Sequence, residues 1–263
     1  MNSILVNYPV TPELTMNLAA QYVALANGVI GMLICLIIGW RMSVKYKTPL
    51  PFLFPIAGAC DVVLEPVICF LGHAVHAQIG QITLFETNTR PIPVHVALLY
   101  GVYYGPVWLF LFHRFMTTGL SNAFLWKTFV VLFVFAQLFE IAPVNYGLWY
   151  HYGYQPFRFG DQGEPLFFPV VNLVPAYLGF LLIINYRHLL SGWRALFIIP
   201  LTQAGAYMGH LGAGFPYYNV INSSASPAMI QLACVASILL ALAFIAAINQ
   251  SLSAASSIAS PAA

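Results

Sequence analysis

Three acidic side chains, Asp61, Glu65 and Glu140, lie inside long apolar stretches of a chain in which only 6% of residues are charged. The nine Lys and Arg residues fall at or beyond the edges of those stretches. An ionised acid in hydrocarbon is costly unless it is protonated, paired or in contact with water. Because no Lys or Arg is available as a partner, we expect proton-loaded acids or a wet cavity, and either makes these residues candidates for a functional site.

Asp61 and Glu65 are four residues apart and therefore share one face of a predicted helix. Cys69 and His76 continue that face if the helix persists, although Pro66 is expected to loosen it. Burial disfavours the charged form of a carboxyl group, and a neighbouring carboxyl group disfavours it further. We therefore expect at least one of the two acids to hold a proton near neutral pH. A protonated acid in an apolar pocket can serve as a general acid.

Polar residues of several predicted spans fall at a similar depth. At a rise of 1.5 Å per residue, Glu65, Glu140 and His210 come out about 21–23 Å from the predicted inner edge, and Asp61 about 15 Å. Asn172, Tyr100 and His95 lie near the same level. A shared level is what a cavity between helices requires. Such side chains also hydrogen-bond between helices without any further role, and that alternative stays open.

The elements that must position these residues are transmembrane helices. The chain has 263 residues, is 60% hydrophobic and has a mean hydropathy of +0.82, which no soluble domain of this size can bury. Stretches of about 20 apolar residues are long enough to span a bilayer. We predict an all-α polytopic membrane protein with a single domain over 1–250 and a disordered tail over 251–263. Its bundle of seven transmembrane helices is predicted near 19–40, 51–73, 93–113, 126–146, 166–186, 195–213 and 227–248.

The basic residues predict the orientation of this bundle. Seven of the nine lie in the links after the first, third and fifth spans, and only Arg90 and Arg158 lie on the other side. The positive-inside rule places the N-terminus outside and the C-terminus in the cytoplasm. The basic residues form no stripe, so nucleic acid is not expected as a partner. The expected partners are the lipid bilayer and a lipophilic small molecule, and the oligomeric state is left open.

An acid buried in lipid suits a lipidic substrate. Protonation of an alkene or epoxide of an isoprenoid generates a carbocation, which aromatic faces stabilise while water is kept away. We therefore predict catalytic roles for Glu65 as proton donor, Asp61 as the neighbour that keeps it protonated, and Glu140 as partner acid or base. The predicted substrate-binding residues are His210, Tyr207, Asn172, Tyr100, Tyr104, His95 and Trp149.

The stretch from Pro55 to Glu65 (PIAGACDVVLE), an apolar run that ends in an acid on the second of seven spans, resembles the small integral-membrane terpene cyclases of meroterpenoid pathways. That family has a second acid near its last span, whereas the seventh span has none here. A further set is similar to integral-membrane carotenoid hydratases, namely Glu140, Gly147, Trp149, Tyr154, Pro165 and Asn172. The resemblance implies acid-catalysed cyclisation, hydration or isomerisation of an isoprenoid-like substrate.

Other chemistries lack their motifs. The sequence has no Asp-rich DDxxD pair for magnesium, no clustered His set for a di-iron centre, and four Cys residues without a zinc-type spacing. We therefore expect no metal and no cofactor. Two other classes remain open. A proton-coupled transporter also uses buried acids, and a non-catalytic membrane subunit would hold them fully hydrogen-bonded with no cavity.

Overall fold

The computed structural model describes residues 9–87, 90–158 and 165–259, and these are mostly helical. The α-helices are α1 (Leu18–Tyr46), α2 (Leu50–Cys60), α3 (Glu65–Leu71), α4 (Val94–Thr117), α5 (Asn122–Asn145), α6 (Phe167–Val171), α7 (Leu173–Tyr186), α8 (Ile198–Ile221) and α9 (Pro227–Ala259). Two 3-10 helices cover Asp61–Leu64 and Gly192–Phe197. The strands are β1 (Ala74–His76), β2 (Thr83–Thr87), β3 (Arg90–Pro93) and β4 (Trp149–His151).

Six helical segments are long and apolar enough to cross a membrane, so the multi-pass architecture expected from composition fits the structure. They are Leu18–Tyr46, Leu50–Leu71, Val94–Thr117, Asn122–Asn145, Phe167–Tyr186 and Pro227–Ser257. The remaining predicted span corresponds to α8, which has 24 residues but is less apolar. Thr202, Gln203 and His210 lower its hydropathy, and all three side chains are hydrogen-bonded to other segments.

Two of the spans are interrupted next to prolines. Pro66 has no N–H to give to Val62, and the chain tightens into the 3-10 helix Asp61–Leu64, in which Glu65 N–H bonds Val62 O instead. The second interruption lies at Asn172, between α6 and α7, where Pro175 removes the donor that would reach Val171 O. At both breaks, the polar side chains no longer follow the angular spacing of a continuous α-helix.

The core lies between α2, α4, α7, α8 and α9, whereas α1 and α5 are peripheral and expose most of their apolar residues. α2 and α4 approach closely because Gly101 has no side chain. A Cβ atom there would lie 2.8 Å from Pro55 O, which is closer than real contacts allow. This approach brings the tyrosines of α4 against the 3-10 helix and α3.

The two longer links between spans meet over one end of the bundle. β1 pairs with β4 in an antiparallel sheet, with Ala74 opposite His151 and His76 opposite Trp149. β2 and β3 form a second antiparallel pair. We call the described residues 72–87, 90–93 and 146–158 the cap. The half of the bundle next to it is the cap half, and the opposite half is the far half.

Hydrogen bonds fix the cap to the bundle. Gln155 Nε2 donates to Gly72 O (3.0 Å), and Tyr217 Oη on α8 donates to Gln155 Oε1 (2.5 Å). The Arg90 guanidinium donates to Ala74 O (2.7 Å) and to Tyr152 Oη (2.8 Å). The cap is therefore a packed structure with its own hydrogen bonds. Tyr217 joins it to α8, and the Arg90 guanidinium, 3.5 Å from Cys69 O, joins it to α3.

The mostly helical fold agrees with the sequence prediction, and the cap adds four short strands to it. One prediction needs correction. The tail predicted to be disordered from Ser251 continues α9 as far as Ala259. Alanine is the strongest helix former, and Leu252 and Ser256 are buried against the bundle. Ser256 Oγ accepts a hydrogen bond from Leu120 N at 2.8 Å, which gives the last turns a tertiary anchor. Residues 260–263 of that predicted tail lie outside the described residues.

Candidate functional site

A cavity of about 100 Å³ lies beneath the cap, between α3, α4, α5 and the interruption at Asn172. Both Glu65 and Glu140 line it. Its wall also contains Ile68, Cys69, Ala74, His76, Val96, Leu99, Tyr100, Tyr103, Tyr104, Phe139, Trp149, His151, Phe168 and Asn172. The wall is therefore mostly aromatic and aliphatic, with a few polar groups, which is the usual composition of a small-molecule site.

Glu65, the first residue of α3, has hydrogen-bond donors at both carboxyl oxygens. His76 Nε2 lies 2.8 Å from Oε1, Tyr100 Oη donates to Oε2 at 2.6 Å, and Cys69 Sγ lies 3.4 Å from Oε1. The Glu65 side chain is only 15% exposed, and His76 is 3% exposed. The acid and the imidazole are within hydrogen-bond distance of each other, so a proton can pass between them at the wall of an apolar cavity.

His76 reaches Glu65 by a route that differs from the predicted helical face. α3 ends at Leu71, and the chain returns as β1, which is held in register by β4. Trp149 lies directly opposite His76 and meets its ring edge-on at a centroid distance of 6.1 Å. Strand pairing between two distant links therefore sets the partner of the buried acid.

Aromatic rings from α4 line the cavity beside Glu65. Tyr100 and Tyr103 both meet the Tyr104 ring edge-on, with centroid distances of 5.7 and 5.1 Å. Tyr104 in turn stacks on Trp108 at 5.5 Å. The electron-rich faces of such rings attract a cation, and Glu140 adds a second acid to the same cavity.

Asn172 lies on the cavity wall and belongs to a buried hydrogen-bonded chain. Its Oδ1 is 2.7 Å from His210 Nε2, and His210 Nδ1 is 2.7 Å from Tyr218 Oη. His210 is fully buried and does not itself line the cavity. Asn172 therefore lies between His210 and the cavity, and the predicted role of His210 in substrate binding stays a prediction.

Asp61 and Tyr207 also lie outside the cavity lining. In the 3-10 helix each residue turns about 120° rather than 100°, so Asp61 does not share the face of Glu65 as predicted. Asp61 accepts a hydrogen bond from Thr202 Oγ1 at 3.3 Å, and Oδ2 has no hydrogen-bond partner among the described residues. Tyr207 Oη donates to Val63 O at 2.9 Å and so satisfies a carbonyl of the interrupted helix.

His95 is another predicted substrate-binding residue that does not line the cavity. It is fully buried in the first turn of α4, and neither ring nitrogen has a hydrogen-bond partner among the described residues. The predicted residues that do meet at the cavity are Glu65, Glu140, Tyr100, Tyr104, Trp149 and Asn172.

Two histidines of the cap are held in the neutral form. Burial, followed by the nearby Arg158 guanidinium, lowers the pKa of His151 to about 3. Burial likewise lowers the pKa of His73 below its ordinary value. The His73 ring stacks on Tyr152 at 5.2 Å, and the His151 ring packs on Phe168 at 4.7 Å. Both imidazoles therefore act as packed polar rings near neutral pH.

Sequence reasoning missed His151 and Phe168, and it placed His76 only by assuming a continuous helix. A stronger signal was available in the paired links themselves. His76 and His151 each lie in a short run of aromatic and β-branched or apolar residues that favours a strand, AVH and WYH.

Glu65, Cys69 and His76 also have ligand types that hold metal ions, and one ligand atom of each lies within 4.8 Å of the others. The hydrogen bonds from Cys69 and His76 to Glu65 account for the same closeness without an ion. The tests of this site therefore include a chelator, to show whether a metal ion is needed.

Comparisons of this chain with protein-family models, with curated proteins and with solved structures found no match.

Proposed function

We propose that this protein is a membrane-embedded enzyme that uses acid catalysis for cyclisation, hydration or isomerisation of a lipophilic, isoprenoid-like substrate. The observation that carries the proposal is the Glu65–His76 pair, 2.8 Å apart, facing an apolar aromatic cavity that also contains Glu140. We propose in addition that α8 completes a seven-helix membrane bundle, with the N-terminus outside and the C-terminus in the cytoplasm.

The reaction begins with the proton held between Glu65 Oε1 and His76 Nε2. Transfer of this proton to an alkene carbon, or to an epoxide oxygen with cleavage of the C–O bond, leaves a carbocation in the cavity. The aromatic faces of Tyr104 and Trp149 stabilise the cation, and the apolar wall limits the access of water. The Tyr100 hydroxyl stabilises the carboxylate that remains on Glu65.

The reaction ends with loss of the positive charge. Attack by a second alkene of the same molecule closes a ring and moves the cation, and loss of a proton from an adjacent carbon to Glu140 forms a new double bond. The product then has the composition of the substrate. Capture of the cation by water, followed by loss of a proton, gives a hydrated product instead.

The test uses deuterium oxide as the solvent. We expect purified protein in nanodiscs, incubated with a panel of polyprenyl alkenes and epoxides, to yield products whose mass shows one solvent deuteron bound to carbon from alkene substrates. Glu65→Gln is expected to lower the rate by about 10²- to 10⁴-fold, because it removes the shared proton. Gln203→Leu is the control, since Gln203 bonds Cys60 O outside the cavity lining.

Two results would contradict this assignment. One is full activity in Glu65→Gln, and the other is activity that disappears with a chelator and returns with Zn²⁺, which would make Glu65, Cys69 and His76 metal ligands.

Proton-coupled transport remains a second candidate because both helix interruptions, at Asp61–Leu64 and at Asn172, lie beside the polar residues. Interrupted helices surround the binding sites of many transporters. Liposomes containing the protein separate the two functions. Ligand-driven proton flux without a new product supports transport, whereas product formation without flux supports the enzyme.

A further inference from the structure

Asn172 is placed on the cavity wall by the break between α6 and α7. α6 ends at Val171 and α7 begins at Leu173, so the Asn172 side chain projects from an irregular turn. Pro169 and Pro175 flank this turn and prevent a continuous helix through it. Asn172 is partly buried, and it lines the same cavity as Glu65 and Glu140.

The side-chain oxygen of Asn172 is already engaged behind the wall. It lies 2.7 Å from Nε2 of the fully buried His210, whose Nδ1 lies 2.7 Å from Tyr218 Oη. The His210 and Tyr218 rings are nearly parallel, at 10°, and Phe167 packs edge-on against Tyr218. Packing against His210 and Phe167 therefore holds the Tyr218 ring in position for its hydrogen bond to His210.

A neutral imidazole has one N–H donor and one acceptor nitrogen. Because Nε2 of His210 faces the Asn172 carbonyl oxygen, it carries the hydrogen, and Nδ1 accepts from the Tyr218 hydroxyl. This assignment uses Asn172 Oδ1, and the only side-chain hydrogen bond of Asn172 among the described residues is the one at that oxygen. Because Asn172 lines the cavity and its oxygen is engaged behind the wall, Nδ2 is the polar group of this side chain that remains to meet a ligand.

We propose that Asn172 donates a hydrogen bond to an oxygen atom of the substrate, with His210 and Tyr218 as positioning residues. The substrate class is therefore an isoprenoid that carries an acceptor oxygen, such as a carbonyl, ether or epoxide, and is not a plain hydrocarbon. This inference rests on the proposed function in one respect, namely that the ligand of the cavity is the substrate of the acid-catalysed reaction.

The physical basis is the cost of covering an amide donor with hydrocarbon. A buried donor without an acceptor lowers affinity by a factor of roughly 5 to 100, whereas an acceptor at the right place recovers it. Sites built around such a donor therefore reject analogues that lack the oxygen more strongly than they reject a change of one methylene group.

The experiment measures binding without turnover, with two matched probes. One is geranylacetone, whose ketone oxygen only accepts hydrogen bonds, and the other is the hydrocarbon in which a methylidene group replaces that oxygen. Affinities for the protein in nanodiscs are read from quenching of tryptophan fluorescence, since Trp149 lines the cavity. We expect the ketone to bind about tenfold more tightly than the hydrocarbon.

Three variants test the residues. Asn172→Leu is expected to abolish the tenfold preference. Tyr218→Phe removes a single hydroxyl, keeps the ring stacking, and is expected to lower the preference about two- to fivefold, so it serves even if Asn172→Leu does not fold. Gln203→Leu removes an amide outside the cavity lining and is expected to leave the preference unchanged.

Two outcomes overturn the inference. The first is equal binding of the two probes by the unaltered protein, and the second is a ketone preference that survives in Asn172→Leu. Failure of the proposed function is seen separately, as full activity in Glu65→Gln. The ketone preference does not depend on that activity, so it can persist when acid catalysis is excluded.

Discussion

The cap half and the far half of the bundle are built from the same helices but filled differently. In the cap half, Glu65, His76 and Asn172 bond to partners around a cavity. In the far half, Trp108, Phe112 and Phe180 are almost completely buried and pack ring against ring or against aliphatic side chains. The difference follows the prolines that interrupt the helices, because the interruptions free polar groups for the cavity while the regular segments below form a closed core.

The largest effect on stability is expected from a cavity made in the far half. Phe180→Ala should lower the free energy of unfolding by about 3–5 kcal/mol, because Phe180 is fully buried. Thermal unfolding in detergent measures the loss, and Phe197→Ala, an exposed ring, is the control. If the comparison holds, the folded fraction of Phe180→Ala keeps its activity. A specific loss of turnover would mean that the far half also shapes the site.

The next effect is a pH dependence confined to the cap half. The folded pKa of His151 is about 3, against about 6.5 in an unfolded chain. Between these values the unfolded state binds more protons, so stability is lost as the pH falls below 6.5, by about 2 kcal/mol at pH 5. His73 acts in the same direction.

Unfolding measured between pH 8 and pH 4 tests this dependence. We expect His151→Gln to flatten the slope and Phe180→Ala to leave it unchanged. A slope that is the same with and without His151 would assign the effect to other groups.

A smaller effect, on rate alone, is expected from one hydroxyl group. Tyr100→Phe removes the donor to Glu65 Oε2 and should lower turnover about tenfold. Tyr177→Phe is the matched control, because Tyr177 Oη donates to Leu125 O in the far half. Equal losses in the two variants would show that a missing buried hydroxyl acts through the fold and not through the acid.

The smallest effect is expected at the end of α9. Ser256→Ala removes the acceptor for Leu120 N and should cost about 1 kcal/mol. Hydrogen exchange should increase in residues 250–259 with no change in activity. Ser257→Ala is the control, since Ser257 is exposed and bonds only within its own helix.

The sequence predicted the helical segments well because each needs only a local run of apolar residues. The depth of a residue along its helix could also be predicted, because the rise per residue is constant. This estimate placed Glu65, Glu140 and Asn172 at one level. These three residues do line one cavity.

The direction in which a side chain points around the helix axis could not be predicted from the sequence. The 3-10 helix turns Asp61 away from Glu65, and the Tyr207 hydroxyl bonds the interrupted backbone at Val63 O. The pairing of β1 with β4 was also missed, because it joins residues more than 70 positions apart through two intervening helices. Contacts of that kind depend on how the helices pack and carry only a weak local signal.

The pairing of β1 with β4 also has a consequence for biosynthesis. Synthesis is vectorial, so Glu65 enters the membrane while β4, which sets the register of His76, is still to be made. Until β4 docks, the acid has no fixed base beside it, which favours its entry as a neutral, protonated group. The link after α5 then completes the pair, so the contact between Glu65 and His76 takes its final form only after the chain has passed His151.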